Sequence, residues 1–382
     1  MTTRRTNPPF RAEHIGSLKR PDELQKARER LLGAHDATHH LGPHDNPELR
    51  KIEDRLIQDA VKLQEEVGMP VVTDGEFRRR TYWTEQMLSF SGIEINYQGE
   101  YPVTWTDEKG HAMKVPMTKI TGKVRRQGSP NVRPFQFLQG LTQRTIKVTL
   151  PTPAQAHYFG GRAGVDKTVY PDEAAFFADL AAAFRAEVDA LALAGCRYIQ
   201  VDECMLAFML DERHRAYLRS RGDDPEKLTE TYCKLLNDSF GKRPADMVLG
   251  VHLCRGNNSA HWLASGGYDN IADRLFNTVD ADVYFLEYDT ERAGDFGPLR
   301  LLPEGKTAML GLVSTKTPKM ESADDLKRRI DAAAKHTPLE RLGITPQCGF
   351  ASNYIGNPVT IEDQKRKLAL CVGVARDVWG TA

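Results

Sequence analysis

The chain has 382 residues, of which 40% are hydrophobic and 27% are charged, a composition typical of a globular protein and not of a disordered or fibrous one. Its 52 basic and 52 acidic residues give a formal net charge of zero, so no chain-wide positive field would attract nucleic acid, and we expect no nucleic-acid partner. Neither a bilayer-spanning apolar run nor a secretory signal is present, so we expect a cytoplasmic protein with no membrane partner.

Short β-rich runs alternate with longer segments of helical periodicity, which is the pattern of βα units. Helices are predicted at 46–68, 171–195, 224–240 and 322–336. Since no glycine-rich nucleotide-binding turn follows any strand, eight strands favour a closed (β/α)₈ TIM barrel over an open doubly wound sheet. The predicted strands are 12–17, 70–76, 145–150, 197–203, 247–254, 282–288, 308–314 and 343–348.

Two stretches interrupt this alternation. Residues 28–46 carry His, Gly and Pro and predict a loop. Residues 77–144 are rich in Arg, Tyr, Trp and Gly, and their strand-like pieces predict a β-hairpin excursion over one end of the barrel, inserted after the second strand. We therefore expect residues 1–382 to form a single catalytic barrel that carries this insertion. A homo-oligomer is compatible with these features.

Polar residues follow several predicted strands at the rim where barrel enzymes carry their active sites. His252 and Cys254 lie two positions apart on the fifth strand, so both side chains can face one ion. Alone, this pair favours core packing over metal binding, because buried cysteine usually packs as a small hydrophobe. Glu287 and Cys348 end the sixth and eighth strands on the same rim. The four residues form a set suited to tetrahedral Zn²⁺.

The ordered motifs at the strand ends resemble those of the C-terminal catalytic barrel of cobalamin-independent methionine synthase, and the chain length resembles that of its shorter, single-barrel relatives. The motifs are HIGS (14–17), DGEF (74–77), IQVDE (199–203), VHLC (251–254), FLEYD (285–289), GLVSTKTP (311–318) and PQCGF (346–350). The resemblance implies a zinc-dependent transfer of a methyl group to homocysteine, giving methionine, with 5-methyltetrahydrofolate or another methyl donor.

The resemblance also implies roles for individual residues. The family's zinc ligands match the four rim residues named above, with Glu287 as the ligand that yields to the substrate sulfur. The amino acid end of homocysteine would be held by four residues, among which Asp202 is also predicted to be catalytic. Two carboxylates and a hydroxyl among them can hold an ammonium group, which gives this assignment a physical reason. The four are Ile15, Ser17, Glu76 and Asp202.

After the seventh strand the sequence departs from the family. The long form of the enzyme has a D-x-H-S-P motif there, whereas this chain has STKTP at 314–318, which places Lys316 where a histidine assists the leaving group. We therefore predict Ser314 and Lys316 as catalytic residues. The folate-stacking tryptophan of the family has no counterpart in 150–159. A small-molecule thiol and an alkyl donor are the expected partners, and the identity of the donor stays open.

Three arginines at 78–80 follow the second strand and precede Tyr82 and Trp83. Such a run is either a solvated surface or a site for an anionic donor or acceptor, and Arg78 is included among the predicted substrate-binding residues. These arginines keep a second enzymatic function open, the opening of an epoxide by coenzyme M in the manner of a 2-hydroxypropyl-coenzyme M lyase. A third class is a non-catalytic zinc- or thiol-binding protein, in which four protein ligands would close the site permanently.

Several other histidines and cysteines are expected to lie outside the site, whereas His14 fits a core position and a substrate contact equally well. A solvated loop is the favoured interpretation for His35, His39, His40 and His44. Three cysteines in or beside helical segments are expected to be inert: Cys196, Cys233 and Cys371.

Overall fold

The computed structural model of the chain describes residues 7–33, 44–96, 103–106, 112–113 and 116–382. Its strands are β1 Val71–Val72, β2 Phe90–Asn96, β3 Trp105–Thr106, β4 Ala112–Met113, β5 Met117–Arg126, β6 Thr145–Ile146, β7 Val148–Pro151, β8 Tyr198–Asp202, β9 Val248–Leu253, β10 Val283–Glu287, β11 Thr307–Val313 and β12 Leu342–Pro346. Its α-helices are α1 Asp22–Leu32, α2 Pro47–Glu66, α3 Thr84–Leu88, α4 Val132–Gln139, α5 Glu173–Leu193, α6 Cys204–Phe208, α7 Glu212–Ser220, α8 Pro225–Phe240, α9 Ala272–Thr278, α10 Ala323–Ala333 and α11 Ile361–Trp379.

The strands close into the predicted (β/α)₈ barrel. A continuous parallel sheet runs in the order β7-β8-β9-β10-β11-β12, and β1 pairs in parallel with β6. β6 and β7 are two parts of the strand predicted at 145–150. The chain segment before α1 completes the ring, because Ala12 forms a parallel bridge to Ile344 in β12 and the Leu18 amide donates to the Gly75 carbonyl beyond β1.

Residues 12–17 do not form the continuous strand that the sequence predicted, and a single bridge replaces it. Side chains take carbonyl oxygens that a strand ladder would otherwise use. Gln200 Nε2 donates to the Ile15 carbonyl at 2.6 Å, and Thr73 Oγ1 donates to the Gly16 carbonyl at 2.6 Å. Gly16 also has a φ of 135°, which lies outside the strand region. Local side-chain bonding therefore outweighs strand pairing here.

Residue alternation along the strands separates the barrel interior from the surrounding layer of helices. In β8, Tyr198 belongs to an interior cluster, whereas Ile199 belongs to the larger core beneath the helices. Asp202 has the same parity as Tyr198 and pairs in register with His252 in β9. Glu287, at the end of β10, has the parity of the interior residue Phe285. These three candidate site residues are thus the topmost members of the inward-facing rows.

The helices begin and end where their flanking residues satisfy backbone groups. Asn46 caps α2 because its side-chain oxygen accepts from the Glu48 and Leu49 amides at 3.0 and 3.1 Å. Of the residues 28–46 predicted as a loop, 28–32 belong to α1, and 34–43 lie outside the described residues. None of the described helices combines the length and the apolar composition that crossing a bilayer requires.

Residues 77–144 contain the antiparallel pair β2–β5 and a second, short pair β3–β4. The β2–β5 hairpin packs beside α5: the rings of Phe90 and Phe184 meet edge to face at 5.1 Å, and Arg126 Nε donates to Glu187 at 2.7 Å. The hairpin therefore lies against the helical layer, and its predicted position over one end of the barrel stays a prediction. The same stretch contains α3 and α4, two short helices that the sequence analysis did not predict.

Candidate active site

Three of the predicted metal ligands meet at the carboxyl end of the barrel. One ligand atom from each of His252, Cys254 and Cys348 lies within 4.8 Å of the other two, and all three residues are buried. Ligands bound to tetrahedral zinc at 2.0–2.3 Å stand roughly 3.3–3.8 Å apart. A small contraction of this group, hereafter the metal group, would therefore place all three around one ion.

His252 is oriented as a metal ligand. Its Nδ1 lies 3.3 Å from the Phe285 carbonyl oxygen, which can only accept, so Nδ1 carries the proton. Nε2 is buried and has no hydrogen-bond partner among the residues that the structure describes. A buried nitrogen lone pair without a partner is unfavourable, and a metal ion would satisfy it.

The two thiols of the metal group complete a donor set that fits Zn²⁺. Contact with the Cys204 thiol, together with burial, raises the pKa of Cys254 well above its usual range. Contact with Cys254, together with burial, does the same to the pKa of Cys348. The thiols are therefore neutral without a cation, and a bound ion would displace their protons. One imidazole and two thiolates leave the fourth tetrahedral position free.

Glu287, the fourth predicted ligand, lies outside the metal group and is held by basic residues. Its Oε2 accepts from the Arg255 amide at 2.6 Å, its Oε1 accepts from Arg292 Nη2 at 2.7 Å, and Lys316 Nζ lies 4.0 Å from Oε1. Burial by itself would raise the pKa of Glu287. The positive charges of Lys316, Arg255 and Arg292 outweigh burial and hold that pKa at about 2. Glu287 is therefore an anion that is already paired.

A thiol that the sequence analysis left without a role lies beside the metal group. Cys204, the first residue of α6, has its Sγ 3.3 Å from Cys254 Sγ. The strand register contained the signal: Asp202 pairs with His252, so residues two positions further along each chain segment, Cys204 and Cys254, are also neighbours.

Two buried carboxylates, Glu76 and Asp202, lie next to the metal group. Glu76 Oε1 accepts from Thr149 Oγ1 at 2.7 Å, and Asp202 accepts from Gln200 Nε2 at 2.8 Å. Burial and the nearby Glu76 carboxylate raise the pKa of Asp202 to about 8, and burial also raises the pKa of Glu76. Glu76 Oε2 has no hydrogen-bond partner within the described part of the chain. An entering ammonium group would relieve this repulsion and satisfy the open oxygen.

Ile15 and Ser17 lie on the same side of the barrel, with different surroundings. The Ile15 side chain packs in the interior cluster, and only its backbone lies near Gln200 and thus near Asp202. The Ser17 hydroxyl accepts weakly from the Ala351 amide at 3.4 Å and is buried. Of these two predicted binding residues, Ser17 alone turns a polar side-chain group toward the loop that carries Cys348.

The arginine run divides between the outer layer and the site. Arg78 forms an ion pair with Asp54 of α2 and stacks over the Phe137 ring at 4.8 Å, so the structure does not bring it to the carboxylates. Arg79, which the sequence analysis did not single out, lies 3.7 Å from Glu76 and donates to Thr149 Oγ1 at 3.0 Å. Two adjacent residues face opposite ways, so the run alone could not show which one enters the site.

Ser314 and Lys316 lie on the side of the mouth that faces Glu287. The Ser314 amide donates to Glu321 at 2.8 Å, and its hydroxyl accepts from the Lys316 amide at 3.4 Å. Lys316 Nζ is buried and has no hydrogen-bond partner among the described residues. This buried amino group, which lies near the Glu287 carboxylate, could also bind another anion.

The other histidines and cysteines occupy structural positions. His14 is buried, its Nε2 bonds to Gln64 Oε1 at 2.9 Å, and burial lowers its pKa to about 3, which identifies a neutral core residue. His44 was expected to be solvated, but it packs on Glu53 at 3.1 Å. His35, His39 and His40 lie outside the described residues. The cysteines expected to be inert are all buried: Cys196, Cys233 and Cys371.

The chain is similar in sequence to a known protein family over most of its length. Residues 37–375 match the family described as cobalamin-independent synthase, catalytic domain. An uncharacterized protein of Bacillus subtilis, YxjH, is 36% identical over 380 residues, which cover 99% of this chain and 97% of that protein. A protein of Schizosaccharomyces pombe described as a probable 5-methyltetrahydropteroyltriglutamate–homocysteine methyltransferase is 27% identical over 95% of this chain, which spans only 42% of the yeast protein's length.

Solved structures agree with the barrel architecture. A Listeria monocytogenes protein assigned as a vitamin-B12-independent methionine synthase superposes with a TM-score of 0.73 at 32% identity, covering 98% of this chain and 99% of its own. A B12-independent methionine synthase from Shewanella, solved with selenomethionine, superposes with a TM-score of 0.68 at 18% identity over 96% of this chain and 97% of its own. The second likeness shows the fold alone.

Proposed function

The chain belongs to the cobalamin-independent methionine synthase family, and on that basis we propose that it is a zinc-dependent methyltransferase that converts homocysteine to methionine. One observation carries the proposal: the metal group adjoins a pair of buried carboxylates. Asp202 and His252 are paired in register on β8 and β9, so an amine bound by Asp202 and a thiol bound at the metal group would lie side by side. Homocysteine carries an amine and a thiol on one short chain.

The metal group would supply the thiol chemistry. Zn²⁺ bound by His252, Cys254 and Cys348 would hold the substrate thiol as a thiolate near neutral pH. Glu287 would serve as the exchangeable fourth ligand when no substrate is present. Its contacts with Arg292 and Lys316 keep the carboxylate ionised, so Glu287 could either bind the metal ion or stay paired with these basic residues. These residues together leave a reactive position that a closed structural site lacks.

The carboxylates would bind the other end of the substrate. Ionised Asp202 and Glu76 would pair with the ammonium group of homocysteine, and the Ser17 hydroxyl would contribute a polar contact. Because these groups are buried, their pairing with a cation is stronger than it would be at the surface. The substrate would thereby be fixed at one end while its sulfur faces the metal group.

Lys316 would act on the methyl donor. Its buried Nζ can stabilise the negative charge that develops on a departing group, and the Ser314 hydroxyl helps to hold the backbone of Lys316. We propose 5-methyltetrahydrofolate or another methyl donor in this position. In the transfer, the substrate sulfur forms a bond to the methyl carbon, and the donor atom leaves with the electron pair of the old bond.

Arg79 favours one alternative function, in which a sulfonate thiol such as coenzyme M opens an epoxide. Its guanidinium lies 3.7 Å from Glu76, so it can bind a sulfonate if the carboxylates are protonated.

A screen of thiols against donors on zinc-loaded protein separates the two functions. We expect product from homocysteine with a methyl donor and none from metal-free protein. Turnover only with 2-mercaptoethanesulfonate and an epoxide would support the alternative, and full activity without metal would refute both.

A further inference from the structure

A third thiol, that of Cys204, lies beside the metal group without belonging to it. Its Sγ lies 3.3 Å from Cys254 Sγ, but its sulfur is not among the three ligand atoms that lie within 4.8 Å of one another. Both cysteines are buried. One thiol of the metal group therefore contacts a thiol that has no place in the ligand set.

The backbone fixes this contact. β8 and β9 pair in register up to Asp202 and His252, and the Glu203 amide donates to the His252 carbonyl at 2.7 Å one step beyond the strand end. The Glu203 side chain then accepts from the Leu206 amide at 2.9 Å, which caps α6 and holds Cys204 at its first position. A disulfide needs its sulfurs about 2.05 Å apart, so the two atoms must approach by only about 1.3 Å, within reach of side-chain rotation.

We propose that Cys204 and Cys254 are a redox pair that forms a reversible disulfide with a hydroperoxide as the oxidant. One thiol sulfur attacks the terminal oxygen of the hydroperoxide; the O–O bond breaks, the sulfur becomes a sulfenic acid, and an alcohol or water leaves with the proton of the thiol. The second thiol then attacks that sulfur, the S–S bond forms, and water leaves. Two thiols have lost two electrons and two protons. A dithiol reductant reverses the reaction by exchange.

The disulfide would inactivate the metal centre. With Cys254 in a disulfide, the metal group retains only His252 and Cys348, and even with Glu287 as a further ligand the loss of a thiolate would lower the zinc affinity strongly. This consequence rests on the proposed function, whereas disulfide formation depends only on the two sulfurs.

Mass spectrometry after peroxide treatment tests the inference on the full chain. Reduced protein, with and without zinc, is treated with hydrogen peroxide, alkylated and digested. We expect two of the six free thiols to disappear and a cross-linked peptide to join Cys204 to Cys254. Zinc bound per chain should fall about tenfold or more and return after reduction. A link between Cys254 and Cys348, or no link at all, overturns the inference.

Variants separate this inference from the proposed function. Cys204→Ser should keep its zinc under the same oxidant, and Cys204→Ala provides a second version should the serine misfold. Cys196→Ser, a buried thiol at the opposite end of β8, should lose zinc like the wild type. Loss of zinc from the Cys204 variants at the wild-type rate would overturn the inference. If reduced wild-type protein binds no zinc, the proposed function fails, and the cross-link alone decides the inference.

Discussion

Cys348 joins the metal group from a distant part of the barrel. It follows β12, whereas His252 and Cys254 lie at the end of β9, three strands away in the sheet order. Side chains from non-neighbouring strands converge only at the mouth of a closed barrel, where inward rows meet. The contribution of Cys348 to metal binding therefore reports on both the chemistry and the fold.

Cys348→Ser is predicted to lower zinc affinity by at least about 100-fold, because a neutral hydroxyl replaces a thiolate ligand. Competition with a chromophoric chelator measures the affinity, and circular dichroism checks the fold. The matched control is Cys371→Ser, which alters an equally buried cysteine in α11 and should bind zinc like the wild type. Equal affinity in the two variants would remove Cys348 from the metal group.

The raised pKa of Asp202 predicts that amine binding to the metal-free protein depends on pH. Its pKa is raised to about 8, so Asp202 is mostly protonated at neutral pH and becomes an anion as the pH rises. Affinity for methionine, which has no titrating thiol, should increase by about tenfold per pH unit up to pH 8 and then level off. Calorimetric titration measures it. Asp202→Asn mimics the neutral acid, so it should fold normally and bind weakly with no such slope; a similar slope in this variant contradicts the assignment.

At this scale the residue types were predictable, but their partners were not. His252, Cys254 and Cys348 follow from strand ends and parity. The pairing of Glu287 depends on Arg255, Arg292 and other loop residues, whose directions no periodicity encodes. Cys204 required the register between β8 and β9, which is a tertiary fact.

At the scale of elements, the hairpin β2–β5 is joined to the barrel without contributing a ligand to the metal group. Its register shifts between Ser91 and Ile93, where Gly92 takes a φ of 72°. A Cβ at Gly92 would collide with the backbone of Gly122 on the facing strand. Glycine is therefore required here for both conformation and space.

Gly92→Ala is predicted to destabilise the protein by about 1–3 kcal/mol through backbone strain and this collision. Zinc affinity should stay unchanged, because the metal group lies on other elements. Thermal unfolding and chelator competition measure the two quantities. Gly128→Ala, in the same 77–144 stretch with no atom within 4 Å of the added Cβ, is the control and should be neutral. A neutral Gly92→Ala would show that this contact is not needed.

Elements with a strong pattern were predictable to within a few residues, as the strand predicted at 197–203 and observed at Tyr198–Asp202 illustrates. The strand prediction for residues 12–17 was wrong, because side chains such as that of Gln200 donate to carbonyl oxygens of this segment. Short helices such as α3 and α6 were missed, since one turn and a half carries too little periodicity.

At the scale of the whole molecule, one buried ion pair helps to close the barrel. Lys147, between β6 and β7, donates to Glu13 at 3.2 Å, and Tyr198 donates to the same carboxylate. Both charged side chains are fully buried. The pair links the first chain segment to the strands across the interior, at a point where backbone pairing is sparse.

Lys147→Met is predicted to cost about 3–5 kcal/mol, because it leaves the Glu13 carboxylate buried without its cation. The double variant Glu13→Gln with Lys147→Met should recover much of this loss, since no charge is then uncompensated. Denaturant unfolding of the two variants and the wild type measures the difference. A double variant that is no more stable than Lys147→Met would show that lost packing, not charge, sets the cost.

Closure itself was predictable from the count of eight strands and the lack of a nucleotide-binding turn. The route of closure was not, because it uses one backbone bridge and several side chains in place of a ladder. We propose that residues 1–382 act as one catalytic barrel with 77–144 as its insertion. Under that proposal, the thiol site is complete within a single chain.

The most direct test of the account is the zinc-edge X-ray absorption spectrum of zinc-loaded protein before and after addition of homocysteine. Before addition, we expect two sulfur ligands at about 2.3 Å and one nitrogen at about 2.0–2.1 Å, supplied by Cys254, Cys348 and His252. After homocysteine is added, we expect a third sulfur to replace a lighter ligand. A zinc ion without sulfur ligands, or a sulfur count that homocysteine leaves unchanged, would contradict the claim that this barrel activates a thiol.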